Sequence, residues 1–232
     1  LNERYHVVTI RLKADLGSSM GPQQLIHAAY ELWHDTVGER YPFRLDIIIN
    51  NAGVSVNRLI SDCDAEDFAF QYNVNVRGPL LLMKASLPYL PKDRSGRIVN
   101  ISSVSSSLGF VGQSVYGGTK AAIEAMTRTW ARELAERATV NAVNPGPVET
   151  DMYEGTAPDF QERMIPFLQN TPLAAVREGV DKPEVVAEVA KTGGRPAQPE
   201  EVASLVGLLC SAGAGFTTGS VLNANGGMYM SF

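Results

Sequence analysis

Residues 97–147 hold the reading that decides the fold: Arg97-Ile-Val-Asn-Ile101, then Ser102-Ser-Val-Ser-Ser-Ser107, then a helix-length segment from Gln113 to Arg137, then Thr139-Val-Asn-Ala-Val143 stopped by Pro145-Gly-Pro147. The two short apolar runs are bounded by turn residues and have strand length. Between them, Ala121, Ala122, Ala125, Met126 and Trp130 recur at helical spacing. A strand, a crossover helix and a second strand make a βαβ unit, and such a unit implies a parallel sheet.

Working outward, the alternation continues. Leu45-Asp-Ile-Ile-Ile-Asn50 reads as a buried strand between Pro42 and Gly53, and residues 65–90 as one long helix that Pro88 ends or kinks. Pro22 opens a helix that runs to about Val37, after a first strand at His6-Val-Val-Thr-Ile10. Residues 151–194 are punctuated by Pro158, Pro166, Pro172 and Pro183, so short helical pieces are expected there. Pro199-Glu-Glu-Val202 starts a last helix with acidic residues in its first turn, and Val221-Leu-Asn-Ala224 is the closing strand. The pattern predicts one α/β domain built on a doubly wound, Rossmann-like parallel sheet.

Composition excludes several classes. The 232 residues carry a net charge of −5 with no Lys/Arg block, which offers nucleic acid no electrostatic footprint. No apolar run approaches the ~20 residues of a membrane-spanning helix. No secretory signal pattern is visible. Two cysteines, Cys63 and Cys210, make neither a disulfide framework nor a zinc site. His27 and His34 lie seven apart, too far along a helix to share an ion, so no metal is expected. The carboxylates flanking Cys63 disfavour a thiolate. A soluble, cytoplasmic protein is the expectation.

Chemistry concentrates on Tyr116 and Lys120. Four residues apart, they leave the same helix face one turn from each other. An ammonium close to a phenol favours the phenolate and lowers a pKa that is ordinarily about 10, which would suit proton transfer. The alternative is an amphipathic helix with a lysine reaching solvent. Three strand-end loops add weight to the first reading: Asn50-Asn-Ala-Gly53, Ser102-Ser103 and Pro145-Gly146 all follow strands, on the sheet edge where α/β proteins place ligands.

Taken together, these pieces resemble the short-chain dehydrogenase/reductase family, of the type that includes the 3-oxoacyl-carrier-protein reductases. The matching segments are Lys13-Ala-Asp-Leu16, Asn50-Asn-Ala-Gly53, Asn73-Val-Asn-Val76, Gly96-Arg-Ile-Val-Asn-Ile-Ser-Ser103, Tyr116-Gly-Gly-Thr-Lys120, Val140-Asn-Ala-Val-Asn-Pro-Gly-Pro-Val-Glu-Thr150, Gly194-Arg-Pro196 with Pro199-Glu-Glu-Val-Ala203, and Asn225-Gly-Gly227. The resemblance implies a catalytic set of Asn75, Ser103, Tyr116 and Lys120. Tyr116 would be the general acid, Ser103 would hold the carbonyl, Lys120 would tune the phenol and bond the nicotinamide ribose, and Asn75 would anchor a proton relay. It implies cofactor contacts from Asp15, Leu16, Asn50, Tyr116, Lys120, Val148 and Thr150, with NADP preferred over NAD. Ser102 reads as structural. Hydride transfer between the cofactor and a carbonyl or secondary alcohol is the implied reaction. A homodimer or homotetramer is the implied assembly.

Two features depart from the family pattern. No glycine-rich pyrophosphate turn occurs in the 232 residues, and the first βαβα portion that would carry it is not among them. The reading therefore expects roughly fifty further residues ahead of Leu1, and weak dinucleotide binding if there are none. A truncated, non-catalytic binding or assembly module is the competing expectation. The family's terminal Asp-Gly-Gly is here Asn225-Gly226-Gly227. Residues 151–194 correspond to the family's substrate lid; Met152, Tyr153, Phe160, Met164, Phe167 and Leu168 point to a lipophilic substrate or to ordinary packing.

Overall fold

The computed structural model describes residues 7–230. Four parallel strands form one sheet in chain order: β1 (Ile47–Asn50), β2 (Gly96–Ile101), β3 (Ala138–Pro145) and β4 (Val221–Ala224). The helices are α1 (Gly21–Val37), α2 (Ala65–Tyr72), α3 (Gly78–Ser86), α4 (Ser105–Leu108), α5 (Ser114–Glu133), α6 (Asp151–Glu154), α7 (Pro158–Gln169), α8 (Pro183–Thr192) and α9 (Pro199–Cys210). The expected α/β architecture with a Rossmann-like parallel sheet is the one observed.

Both faces of the central strands β2 and β3 are covered, as their near-continuous apolar composition requires. Ile98 and Val140 are paired across β2 and β3 and pack with Ile26 of α1, Met83 of α3 and Ile123 and Trp130 of α5. Val99, one residue past Ile98, and Val143, three past Val140, turn to the opposite face and meet Val206 and Leu209 of α9. This is the period-2 alternation of a strand, with each fully buried side chain contributing about 1.5–3 kcal/mol of hydrophobic stabilisation. A polar thread also runs through the first layer. The Asn50 amide donates to Asn100 Oδ1 (2.7 Å), Asn100 donates to Thr127 Oγ1 (2.8 Å), and Thr127 donates to the Ile123 carbonyl (2.8 Å). The three bonds offset the cost of burying these polar groups and tie α5 to the sheet.

Two expected elements differ. The strand expected at His6–Ile10 is not formed: residues 7–10 have no regular structure and Val8 is 75% exposed, while His6 lies outside the described residues. A strand needs a ladder partner, and no described strand lies beside this segment. The long helix expected over 65–90 is broken by a π-helical turn, Asn73–Arg77, in which the Gly78 amide bonds back five residues to the Asn73 carbonyl. Pro79 explains the break. It has no N–H to offer the carbonyl four residues earlier, so the regular ladder cannot pass through Asn75. Beyond the turn, α3 ends at Ser86 and a short 3₁₀ turn follows over Leu87–Tyr89.

Candidate active site

Because all four strands are parallel, their carboxyl ends open on one edge. There the loops after β1, β2 and β3 line a cleft of about 920 Å³. Ser103 enters from the β2 loop, Tyr116 and Lys120 from the first turns of α5, and Val148 and Thr150 from the segment after β3. Asn75 does not reach the cleft surface. It sits directly behind Gly53, where a Cβ would lie 3.4 Å from Asn75 Oδ1 and 3.5 Å from Lys120 Nζ. The structure thus brings four of the expected residues, Asn75, Ser103, Tyr116 and Lys120, to one wall.

Three other expected residues lie elsewhere. The Asn50 amide is engaged inward with Asn100, and the neighbouring Asn51 lines the cleft instead. Asp15 is exposed and accepts from the Gly17 amide (2.9 Å) in the turn before α1. The Leu16 carbonyl passes so close to Gly78 that a Cβ there would be 2.7 Å away. Neither Asp15 nor Leu16 borders the cleft.

Local structure explains the placement of the wall. The segment after β1 is extended, and two side-chain amides serve as its ladder partners. Asn75 accepts from the Val54 N–H (2.9 Å) and donates to the Val54 carbonyl (2.8 Å). One turn earlier, Gln71 does the same for Val56, at 3.1 and 3.3 Å. Asn75 also donates to Thr119 Oγ1 (3.0 Å), tying the π turn to α5. On the other side, Gly117 admits the Ser105 carbonyl; a Cβ there would sit 2.6 Å from that oxygen. Ser102, read as structural, donates to Glu124 Oε1 of α5 (2.6 Å), which also accepts from Ser106 (2.7 Å). The serine loop is thereby fastened to the helix that carries Tyr116.

Electrostatically, burial dominates. Lys120 is 6% exposed, and removal from water pulls its ammonium down to about 8. Its Nζ donates to the Ile101 carbonyl (2.8 Å) and stands 5.5 Å from the centre of the Tyr116 ring. The Tyr116 phenol is pushed above its usual 10 by burial, and only the hydrogen bond with Ser103 pulls it back. The expectation that Lys120 would bring the phenol down is therefore corrected: desolvation of the phenolate dominates, Ser103 is the group that opposes it, and the Lys120 ammonium is engaged with the Ile101 carbonyl. At neutral pH the arrangement holds a protonated phenol, a proton donor, next to a serine hydroxyl.

The residues present suit the nicotinamide and ribose end of a dinucleotide. A buried cationic donor and a phenol share a wall with open strand ends, and Gly53 leaves the floor clear. The chemistry of a pyrophosphate cradle is not supplied by any glycine-rich turn in the 232 residues. Among the described residues no group of three or more His, Cys, Asp or Glu is placed to hold a metal ion.

Residues 24–160 match the profile of the family described as short chain dehydrogenase. The chain belongs to that family. L-xylulose reductase of Aspergillus niger is 47% identical over 243 residues, covering 98% of this chain and 81% of that protein. L-xylo-3-hexulose reductase of Hypocrea jecorina is 51% identical over 204 residues, 82% of this chain and 67% of the relative. A 3-oxoacyl-carrier-protein reductase of Pseudomonas aeruginosa is 38% identical over 186 residues, covering 80% and 66%. Among solved structures, a blue fluorescent protein from a metagenomic library in complex with NADPH superposes with a TM-score of 0.72 at 26% identity, over 94% of this chain and 74% of that one. As a short-chain dehydrogenase, the protein is an NAD(P)-dependent oxidoreductase acting on small molecules, and the reading as a non-catalytic module is set aside.

Sequence reasoning passed over Gln71, Ser105, Gln113 and Glu124, which hold in place the loops and helix that carry Ser103, Tyr116 and Lys120. One signal was available: Gln71 and Asn75 are four apart, so on a helix they face one neighbour.

Proposed function

We propose that this short-chain dehydrogenase reduces the carbonyl of a small polyhydroxylated ketone with NADPH, Tyr116 acting as the general acid. The observation that carries the reading is the convergence of Ser103, Tyr116 and Lys120 on one cleft wall, with Asn75 behind it. NADPH, when bound, supplies the hydride. The Ser103 hydroxyl holds the substrate oxygen, and Tyr116 gives that oxygen its proton as negative charge develops there. Lys120 supplies positive charge beneath the ribose and phenol, with Asn75 keeping the adjoining loop in register.

The direction of reduction is supported by the raised phenol, which stays protonated at neutral pH. The ketose class is supported by the names of the two relatives at 47% and 51% identity. It is also supported by the polar residues Ser55, Ser103, Ser105 and Gln113 on the cleft lining. Phe160 and Met164, which suggested a lipophilic substrate, are buried against Val104 and Phe110, so much of their apolar surface serves packing. NADPH over NADH is supported by the NADPH-bound structural relative. Residues 151–194 form the lid in this reading, since Met152, Tyr153, Thr156, Phe160 and Met164 all border the cleft. Asp15, Leu16 and Asn50 are retained as adenosine-side residues on the resemblance alone. A homo-oligomer and a cytoplasmic location belong to the same resemblance; among the described residues no helix is long and apolar enough to cross a membrane.

The test is reduction of L-xylulose by the full chain, followed by loss of NADPH absorbance, in wild type and Tyr116→Phe. The variant is expected to lose turnover by at least ~10³-fold while NADPH affinity, read by fluorescence titration, stays within about twofold. A variant that turns over at the wild-type rate removes Tyr116 from the mechanism.

A further inference from the structure

A chain of hydrogen bonds leads away from Ser103 on the side opposite Lys120. Ser103 Oγ donates to Ser105 Oγ (3.0 Å), Ser105 Oγ donates to Gln113 Oε1 (2.6 Å), and Gln113 Nε2 donates to Asn57 Oδ1 (3.0 Å), which also accepts from Ser55 Oγ (3.1 Å). The Ser105 backbone N–H reaches back to Ser103 Oγ at 3.2 Å. Gln113 and Ser105 are both only 9% exposed.

Two facts about Gln113 narrow what it does. Each end of its amide holds a protein partner, Ser105 at Oε1 and Asn57 at Nε2, so the orientation of the amide where it borders the cleft is fixed. Its backbone is anchored as well: residues 58 and 113 form a parallel bridge, and the Arg58 N–H donates to the Gly112 carbonyl at 2.8 Å. A side chain fixed at both ends and through its backbone is a rigid support. What it supports is Ser105, whose N–H and hydroxyl together bracket the Ser103 oxygen.

We propose that Gln113 is a positioning residue that acts through Ser105, holding the Ser103 oxygen in place beside Tyr116; the single Ser103 proton, given to Ser105 Oγ in this structure, turns to the substrate oxygen when a substrate binds. The proposal rests on the ketone-reductase reading above. A serine hydroxyl is a free rotor, and its proton reaches a developing oxyanion effectively only if its oxygen is already held in the right place. Without Gln113, Ser105 keeps its backbone bond but its hydroxyl loses the buried acceptor that orients it, and Ser103 loses one of its two restraints.

The experiment is a double-mutant cycle in the full chain with Gln113→Met and Ser105→Ala. Steady-state reduction of L-xylulose by NADPH and the pH profile of the reverse oxidation are measured alongside wild type and Tyr116→Phe. Each single variant is expected to lower kcat about tenfold with NADPH affinity unchanged, and the double variant to lose no more than about twofold beyond either. The acid limb of the oxidation should also move to higher pH in both, because the Ser103 bond that offsets burial of the phenol is weakened. Such a shift is not produced by loss of stability alone. An active wild type and a dead Tyr116→Phe, together with additive losses or an unmoved pH limb, overturn the proposal while leaving the reductase reading intact. A wild type that reduces no ketose, or a Tyr116→Phe variant that still does, overturns both. Ser105→Ala retains every backbone bond and serves as the informative variant if Gln113→Met does not fold.

Discussion

At the residue scale, the site is governed by two groups whose charged forms burial disfavours. Lys120 carries its charge below about 8 and loses it above. Reduction needs both the protonated phenol and the ammonium, so its kcat/KM should hold to about pH 8 and fall beyond it, whereas a profile level well above that value would exclude Lys120. The same shift bears on stability. Between about 8 and 10.5 the unfolded chain binds a proton at Lys120 that the folded chain does not, so this residue makes stability rise with pH across that window. Below it, the buried charge is a standing cost. Lys120→Met should therefore melt higher than wild type at neutral pH while losing activity, and calorimetry should show the gap narrowing as pH climbs toward 10.5. A gap independent of pH would contradict the linkage. Tyr116 and Lys120 were legible from their spacing, but the direction of the phenol shift was not, because desolvation depends on what surrounds a side chain and not on its neighbours along the helix.

At the element scale, α5 is the hub, and the glycines between Tyr116 and Lys120 are what let other elements reach it. At Gly117 a methyl group would strike the Ser105 carbonyl at 2.6 Å, and that atom is backbone with little room to give. Gly117→Ala gains up to about 1 kcal/mol of helix propensity, but the clash costs about 1–3 kcal/mol and pushes the serine loop off the helix. The expected outcome is a lower urea midpoint together with reduced kcat; a midpoint raised above wild type would show that the loop yields freely. The break at Asn73–Arg77 belongs to the same scale. Without it Asn75 would continue a regular helix instead of meeting both Val54 and Thr119. Pro79 was visible in the sequence, but the turn could be placed only once Val54 in the loop after β1 was seen to take the Asn75 amide as its partner.

At the scale of the molecule, the sheet has β4 at one edge and β1 at the other, and the β1 side is apolar and open. Ile47 and Ile49 are 49% and 46% exposed and face the cleft toward Val202 and Val206 of α9. Among the described residues no strand pairs with the outer edge of β1. Ile47 and Ile49 therefore give the cleft an apolar wall on its β1 side.

The sequence by itself determined the parallel sheet, the order of its four observed strands and, through the family resemblance, which four residues stand together at the cleft, because strand and helix periods, turn residues and motif spacings are local and survive in one dimension. Only the tertiary structure decided that Asn50 turns inward, that Gln71 and Gln113 brace the wall, and that the phenol is raised and not lowered. Hydrogen-bond partners and desolvation are set by atoms that meet across tens of residues. Gln113 meets Asn57 across 56 of them, and no spacing rule encodes that contact.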